Sequence, residues 1–207
     1  MPRIILGIII SYLIGSIPTA YLFGLWLKGV DIRKFGSGNV GATNALRVLG
    51  KIPGIIVLLL DILKGFLAVF YLIILIAPRV TFVNTQLLCI VFGLACIAGH
   101  NWTIFLRFKG GKGIATTLGV LIAMCFKVTG MNIVLFLLIV SWVIIFSVSR
   151  IVSLASVLTA LVLPVYALIV GLPKSIIILS IVLSFFVILR HKANLKRLFK
   201  KEEPRLF

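Results

Sequence analysis

Acidic side chains are nearly missing from this chain: Asp31, Asp61, Glu202 and Glu203 are the four among 207 residues. A two-metal centre needs carboxylates gathered round one point. Only Asp31 lies in the basic loops ahead of the tail, which argues against that chemistry. Histidine is as scarce, with His100 and His191 alone. Neither opens an H-x-x-x-x-D pair, because Phe105 and Lys196 stand five residues on. No G-x-S-x-G nucleophile elbow is present. Cys89, Cys96 and Cys125 sit in apolar runs without metal-ligand spacing or a sign of disulfide pairing. No repeat period is visible, and the only biased segment is the basic tail KRLFKKEEPR. General base, nucleophile and metal ligands are all in short supply.

What is abundant is apolar length and positive charge. The chain is 62% hydrophobic with a formal charge of +17, and its mean hydropathy is +1.28. About 20 apolar residues span a bilayer core. Apolar runs at 4–27, 53–77, 85–100, 113–126, 131–149, 152–171 and 173–190 predict an all-α polytopic membrane protein of about seven transmembrane helices. The run at 113–126 is short and fits a tilted or re-entrant segment. Pro18 should kink the first run. That run is too long for a cleaved signal peptide and lacks a small-residue cleavage site, so it is expected to remain as a helix. The spans leave no room for a soluble domain, which predicts one integral-membrane domain over residues 1–207.

A basic excess attracts either nucleic acid or an anionic membrane surface. Here the 21 Lys and Arg residues lie mostly in loops of one side. Only Arg3, Arg79, Lys127 and Lys174 fall on the other, and Lys64 lies within a span. The positive-inside rule then puts the N-terminus outside and the C-terminus in the cytoplasm. No nucleic-acid partner is expected, and the basic tail is expected to be drawn to anionic lipid. Trp26 and Trp102 are placed as interfacial anchors, and Trp142 as deeper packing.

The unusual polar stretches share the basic side. In FGSGNVGATNALR, Gly36, Gly38 and Gly41 form a G-x-G-x-x-G. It has neither the preceding strand of a dinucleotide fold nor the lysine of a Walker loop. The underlying physics survives, since glycines let backbone N–H groups approach an anion. A helix beginning near Ala42 would add its positive end. Ser37, Asn39, Thr43 and Asn44 offer uncharged donors, and Arg47 a planar fork suited to phosphate. The second stretch, RFKGGKGIATT, sets Lys109 and Lys112 around Gly110, Gly111 and Gly113, with a helix expected from Ile114. Lysines at a helix start oppose the macrodipole, and a bound anion would justify them.

His191 and Asn194 are three apart in the tail and would share a helix face towards an anion site. Ser153 follows Arg150 in SRIVSLAS. His100 ends the third span, as either a structural donor or a functional group. Asp61 and Lys64, also three apart, are costly at membrane depth. They either pair with each other or serve a nearby site.

Three motif regions together resemble the bacterial membrane-integral acyl-phosphate:glycerol-3-phosphate acyltransferases, over essentially the whole chain. The residues that carry the resemblance are GSIPTAYLFGLWLKGVDIRKFGSGNVGATNALR, then GHNWTIFLRFKGGKGIATT, then SRIVSLAS with HKANLKRL. The resemblance implies transfer of a fatty acyl chain from acyl phosphate to the sn-1 hydroxyl of glycerol 3-phosphate, releasing lysophosphatidic acid and phosphate. It assigns Ser37 and Arg47 from the first motif and Gly110, Gly111 and Lys112, with Lys109, from the second. The third motif supplies Ser153, His191 and Asn194. It further implies no cofactor, no metal and no covalent enzyme intermediate. The expected location is the bacterial cytoplasmic membrane with the site on its cytoplasmic face, and coupling to an enzyme that supplies acyl phosphate is also expected. The family usually carries a glycine and then a glutamate near the tail; here Lys201 stands at the glycine position and Glu203 is the glutamate. A transporter for organic phosphates would show inverted repeats and midplane breaks, which this sequence lacks. A lipid-bound scaffold would leave both glycine loops unexplained.

Overall fold

The computed structural model describes residues 1–80 and 82–206. Thr81, in the loop after the second expected span, and Phe207, the last residue of the expected domain, lie outside the described residues. The described residues form helices, short 3-10 turns and loops, with no strand among them. They group into two compact units, Met1–Lys127 and Val128–Phe207.

In the first unit Pro18 does more than kink the first span. It divides the span into α1 (Pro2–Ser16) and α2 (Thr19–Lys28). Then come α3 (Ala42–Leu49), α4 (Lys51–Ile76), α5 (Thr85–Asn101) and α6 (Ile114–Met124). At 1.5 Å per residue, α4 is about 39 Å long and crosses a ~30 Å hydrocarbon core with length to spare. It is the hub, packing against α1, α2, α3, α5 and α6. Small residues allow those helices to approach closely, as membrane interfaces require. A Cβ on Gly99 would lie 2.1 Å from the Tyr12 carbonyl oxygen, and one on Gly65 would lie 2.2 Å from that of Thr116. The α1–α5 and α4–α6 contacts therefore exclude side chains at those points.

The second unit holds α7 (Met131–Ser149), α8 (Val152–Ile169), α9 (Lys174–Arg190) and α10 (Lys192–Phe199). α8 packs between α7 and α9. Two polar contacts tie its helices together: Ser184 donates to the Ala160 carbonyl, and Ser141 and Tyr166 bond at 2.8 Å. The chain bends by 63° between α9 and α10.

Among the described residues five helices are long and apolar enough to cross a membrane, or six if the bent pair counts as one. The short expected span is α6. Its 11 residues reach only about 16 Å, too short to cross the hydrocarbon core alone.

Candidate active site

The first glycine loop is built by α3 reaching back. Asp31 opens it by capping the turn Ile32–Lys34: its carboxylate accepts the Arg33 backbone N–H at 3.0 Å. It also takes the Arg33 guanidinium at 2.7 and 2.9 Å. The Arg33 side-chain hydrogen bond holds the Asp31 carboxyl below the usual carboxylate range, and the guanidinium itself lies over the Tyr21 ring. Asp31 and Arg33 thus satisfy each other. Gly36 and Gly38 then take φ of 58° and 70°, the left-handed region that favours glycine. Asn44, buried in the first turn of α3, accepts the Ser37 backbone N–H at 2.8 Å. Its amide donates to the Ile32 and Phe35 carbonyls at 3.1 and 3.2 Å. Asn44 was expected to offer donors to an anion, but both its N–H groups point inward and fasten the loop. Asn39 likewise accepts the Val40 N–H at 3.0 Å. Gly41 caps α3, which starts at Ala42 as expected. Ser37 is left exposed at the loop tip, Thr43 half-buried in the first turn, and Arg47 half-buried one turn further.

The second loop is held differently. α5 ends at Asn101, and its last carbonyls lack helical donors. Gly110 N–H donates to the Asn101 carbonyl at 3.2 Å, and Gly111 N–H to the His100 carbonyl at 3.0 Å. The N–H groups expected to face an anion instead close the end of α5. Space is tight: a Cβ on Gly110 would fall 2.1 Å from the His100 carbonyl oxygen, and one on Gly111 would fall 2.2 Å from His100 Nε2. Just before them Arg107 and Phe108 take φ of 54° and 61°. Sequence reasoning missed this left-handed pair, and nothing in the residue types announces it. Gly113, at φ 81°, caps α6, which starts at Ile114 as expected. Lys109 is exposed and Lys112 half-buried beside that helix start.

Both loops stand on one apolar cluster. Ala20 of α2, Ile32 and Val40 around the first loop, Ala45 and Leu49 of α3, Val57 of α4 and Leu106 ahead of the second loop are packed together and buried. One turn along α4 from Val57, Asp61 and Lys64 pair at 2.8 Å. Of the two readings left open by the sequence, mutual pairing is the one observed. His100 is buried with Nδ1 3.7 Å from Asp61.

The third group lies in the second unit. Glu203 gathers Ser153 Oγ at 2.8 Å, Asn194 Nδ2 at 2.5 Å and Arg197 Nε at 2.7 Å. Burial pushes its carboxyl up, but the hydrogen bonds from Asn194, Ser153 and Arg197 prevail and hold it below the ordinary range. Ser153 and Asn194 are thereby brought to one carboxylate oxygen. The tail reaches them by a turn of Schellman type: Glu202 N–H donates to Arg197 O, and Lys201 N–H donates to Leu198 O. That turn needs a left-handed residue, and Lys201 supplies it at φ 59°. A left-handed position of this kind favours glycine, and lysine fills it here. His191 sits at the α9–α10 bend with Nδ1 2.8 Å from the Val187 carbonyl. A proton on Nδ1 leaves the neutral ring with its acceptor lone pair on Nε2.

The glycerol-3-phosphate acyltransferase family model matches residues 5–201. The chain belongs to the glycerol-3-phosphate acyltransferase family. This acyltransferase is 41% identical over 204 residues to the glycerol-3-phosphate acyltransferase of Prochlorococcus marinus (strain MIT 9515), covering 98% of this chain and 96% of that one. It also resembles a crystal structure of PlsY (YgiH), an integral membrane glycerol 3-phosphate acyltransferase, in its glycerol 3-phosphate form. There the TM-score is 0.84 at 37% identity, over 98% of this chain and 94% of that one. The lysophosphatidic acid form of PlsY matches with a TM-score of 0.82 at 36% identity and the same coverage. The acyltransferase is therefore an enzyme and an integral membrane protein of PlsY type.

Proposed function

We propose that this acyltransferase takes its acyl chain from acyl phosphate and places it on the sn-1 hydroxyl of glycerol 3-phosphate. The observation that carries the reading is two glycine loops on one apolar base, each entering a helix start, with Arg47 in the last turn of α3 and Lys112 just ahead of α6. Both substrates bear a phosphate, and helix starts with cations suit that chemistry. The lysophosphatidic acid form of the PlsY relative supports the product.

In the proposed step the sn-1 oxygen bonds to the carbonyl carbon. The bond from that carbon to the bridging oxygen breaks, and its electron pair leaves with inorganic phosphate. A phosphate oxygen takes the hydroxyl proton, so no protein base is required. A mixed anhydride is already activated, and the protein has mainly to orient the partners and stabilise departing charge. Arg47 and Ser37 bind substrate phosphate, and Lys112 with Lys109 neutralises the leaving group. Gly36, Gly38, Gly41, Gly110, Gly111 and Gly113 keep the loops close to substrate, Asn39 and Thr43 add donors, and Asn44 holds the first loop in shape. Ser153, His191 and Asn194 contribute polar contacts, and the step needs neither metal nor cofactor. Residues 1–207 act as one acyltransferase domain of the bacterial cytoplasmic membrane, working on its cytoplasmic face. The basic tail contacts anionic lipid, and an enzyme that makes acyl phosphate supplies the donor.

The test uses the detergent-purified chain with glycerol 3-phosphate and either palmitoyl phosphate or palmitoyl-CoA, following phosphate release and lysophosphatidic acid. Turnover with acyl phosphate alone, lost in Arg47→Ala, is expected. Turnover with the thioester alone overturns the donor. Loss of turnover in His191→Ala with both substrates still bound overturns the substrate-borne proton acceptor.

A further inference from the structure

We propose that the buried Asp61–Lys64 pair is a positioning element that registers the two glycine loops of the first unit against each other. The inference rests on the acyl-transfer reading above and concerns residues which that reading leaves without a role.

Ionisable groups within a span are costly and need a reason. Asp61 is 1% exposed and Lys64 6%. Stability alone is a poor reason, because replacing a buried ion pair by apolar residues is often neutral or stabilising. The bonds these two make outside the pair are more telling. Asp61 Oδ1 accepts the Thr19 hydroxyl at 2.6 Å, and Thr19 begins α2, the helix that leads into the first loop. Lys64 Nζ donates to the Ile17 carbonyl at 2.9 Å, at the break that frees α2 from α1. On the other side, Asp61 lies 3.7 Å from His100 Nδ1. The far edge of that imidazole is where a side chain on Gly111 would fall. Thr103, which caps the turn ahead of the second loop, donates to the Ser16 carbonyl at 2.6 Å and clamps the same break.

One charged pair on α4 thus holds the start of α2, the helix that carries the first loop at its far end, and, through His100, reaches the glycines of the second. The titratable groups facing it are His100 from α5 and the pair itself, with Cys96 bonded weakly to the Lys64 carbonyl. Removing the pair leaves each loop intact but frees one to shift against the other. A misplacement of about 1 Å between reacting groups lowers turnover about 100-fold. Binding of each substrate, made by its own loop, should change little.

The experiment compares wild type, Asp61→Leu/Lys64→Met, Asp61→Asn/Lys64→Gln and Thr19→Val as purified full chains, with Arg47→Ala alongside. The apolar double variant should fold with an unchanged Tm, lose about 100-fold in kcat and keep both KM values within about threefold. The amide pair, which can still hydrogen-bond, should recover much of the loss. Wild-type kcat in the folded apolar variant overturns the proposal, and so does a raised KM at unchanged kcat. If that variant does not fold, Thr19→Val decides: lowered kcat at constant KM supports registration, and unchanged kcat overturns it. A second readout needs no turnover. Spin labels at the exposed positions Lys34 and Lys109, with Cys125 replaced by serine, should give one narrow distance in wild type and a broadened one in the apolar variant. Equal widths overturn the proposal. An inactive wild type whose distances still broaden on substitution overturns the acyl-transfer reading and leaves registration standing.

Discussion

The two glycine loops read alike in sequence and are built on different physics. In the first, Gly36 and Gly38 are needed for left-handed backbone, and a side chain, Asn44, folds the loop onto α3. In the second, Gly110 and Gly111 are absent from the left-handed set and are needed for space, because their backbone lies on the end of α5. One loop uses glycine for its φ, the other for its missing Cβ. Glycine content therefore reports a constraint without saying which one.

Substitutions that add a single methyl group separate the two cases. The largest effect is expected for Gly110→Ala, whose Cβ would meet a backbone oxygen that no rotamer change can move. The loop must shift, and a fall in kcat/KM of about 100-fold is expected in the phosphate-release assay. Next comes Asn44→Ala, which strips three hydrogen bonds from the first loop. At about 1 kcal/mol each, a loss of about 3 kcal/mol is expected, read as a lowered Tm and faster proteolysis at residues 35–41. Smaller still is Gly36→Ala, at about 1–2 kcal/mol for a left-handed alanine, with further crowding against Asn44 Oδ1. Gly41→Ala is its control. There φ is −141° and the nearest atom to a new Cβ is 3.6 Å away, so stability should stay within about 0.5 kcal/mol. If Gly41→Ala costs as much as Gly36→Ala, backbone conformation does not explain the first loop.

The tail offers the converse case, a left-handed position that lacks its glycine. Lys201→Gly should stabilise the tail turn by about 0.5–1 kcal/mol, seen as slower hydrogen exchange at Glu202. The same turn has an expected pH dependence. Glu203 is held below its ordinary value of 4.5 when folded. Its contribution is therefore present above that value and lost as pH falls through the depressed one. Tail protection should vanish on acidification in wild type, and Glu203→Gln should remove the dependence.

Much of this was legible from residue order alone. Apolar runs announced an all-helical membrane protein, because a bilayer demands about 20 apolar residues of each crossing helix. Of the seven runs, five helices, or six with the bent pair, are long and apolar enough to cross among the described residues. Pro18 announced the break between α1 and α2, and the starts of α3 and α6 at Ala42 and Ile114 follow from glycine and helix periodicity. The motifs carried the family. The direction of each polar group was not legible. Nothing in the order of residues says that Asn44 turns its amide inward, that Gly110 and Gly111 give their N–H groups to α5, or that Arg107 and Phe108 run left-handed. Those outcomes depend on which carbonyl is left without a donor at a helix end, and that is settled only when the neighbouring helix is in place. The sequence by itself determined a helical membrane enzyme of this family and the residue types its loops must contain. Only the tertiary structure decided that Asp61 would meet Thr19 and Lys64 would meet Ile17. Burial at membrane depth leaves a charged group no water to bond, so its partners are whatever the packed helices bring within reach.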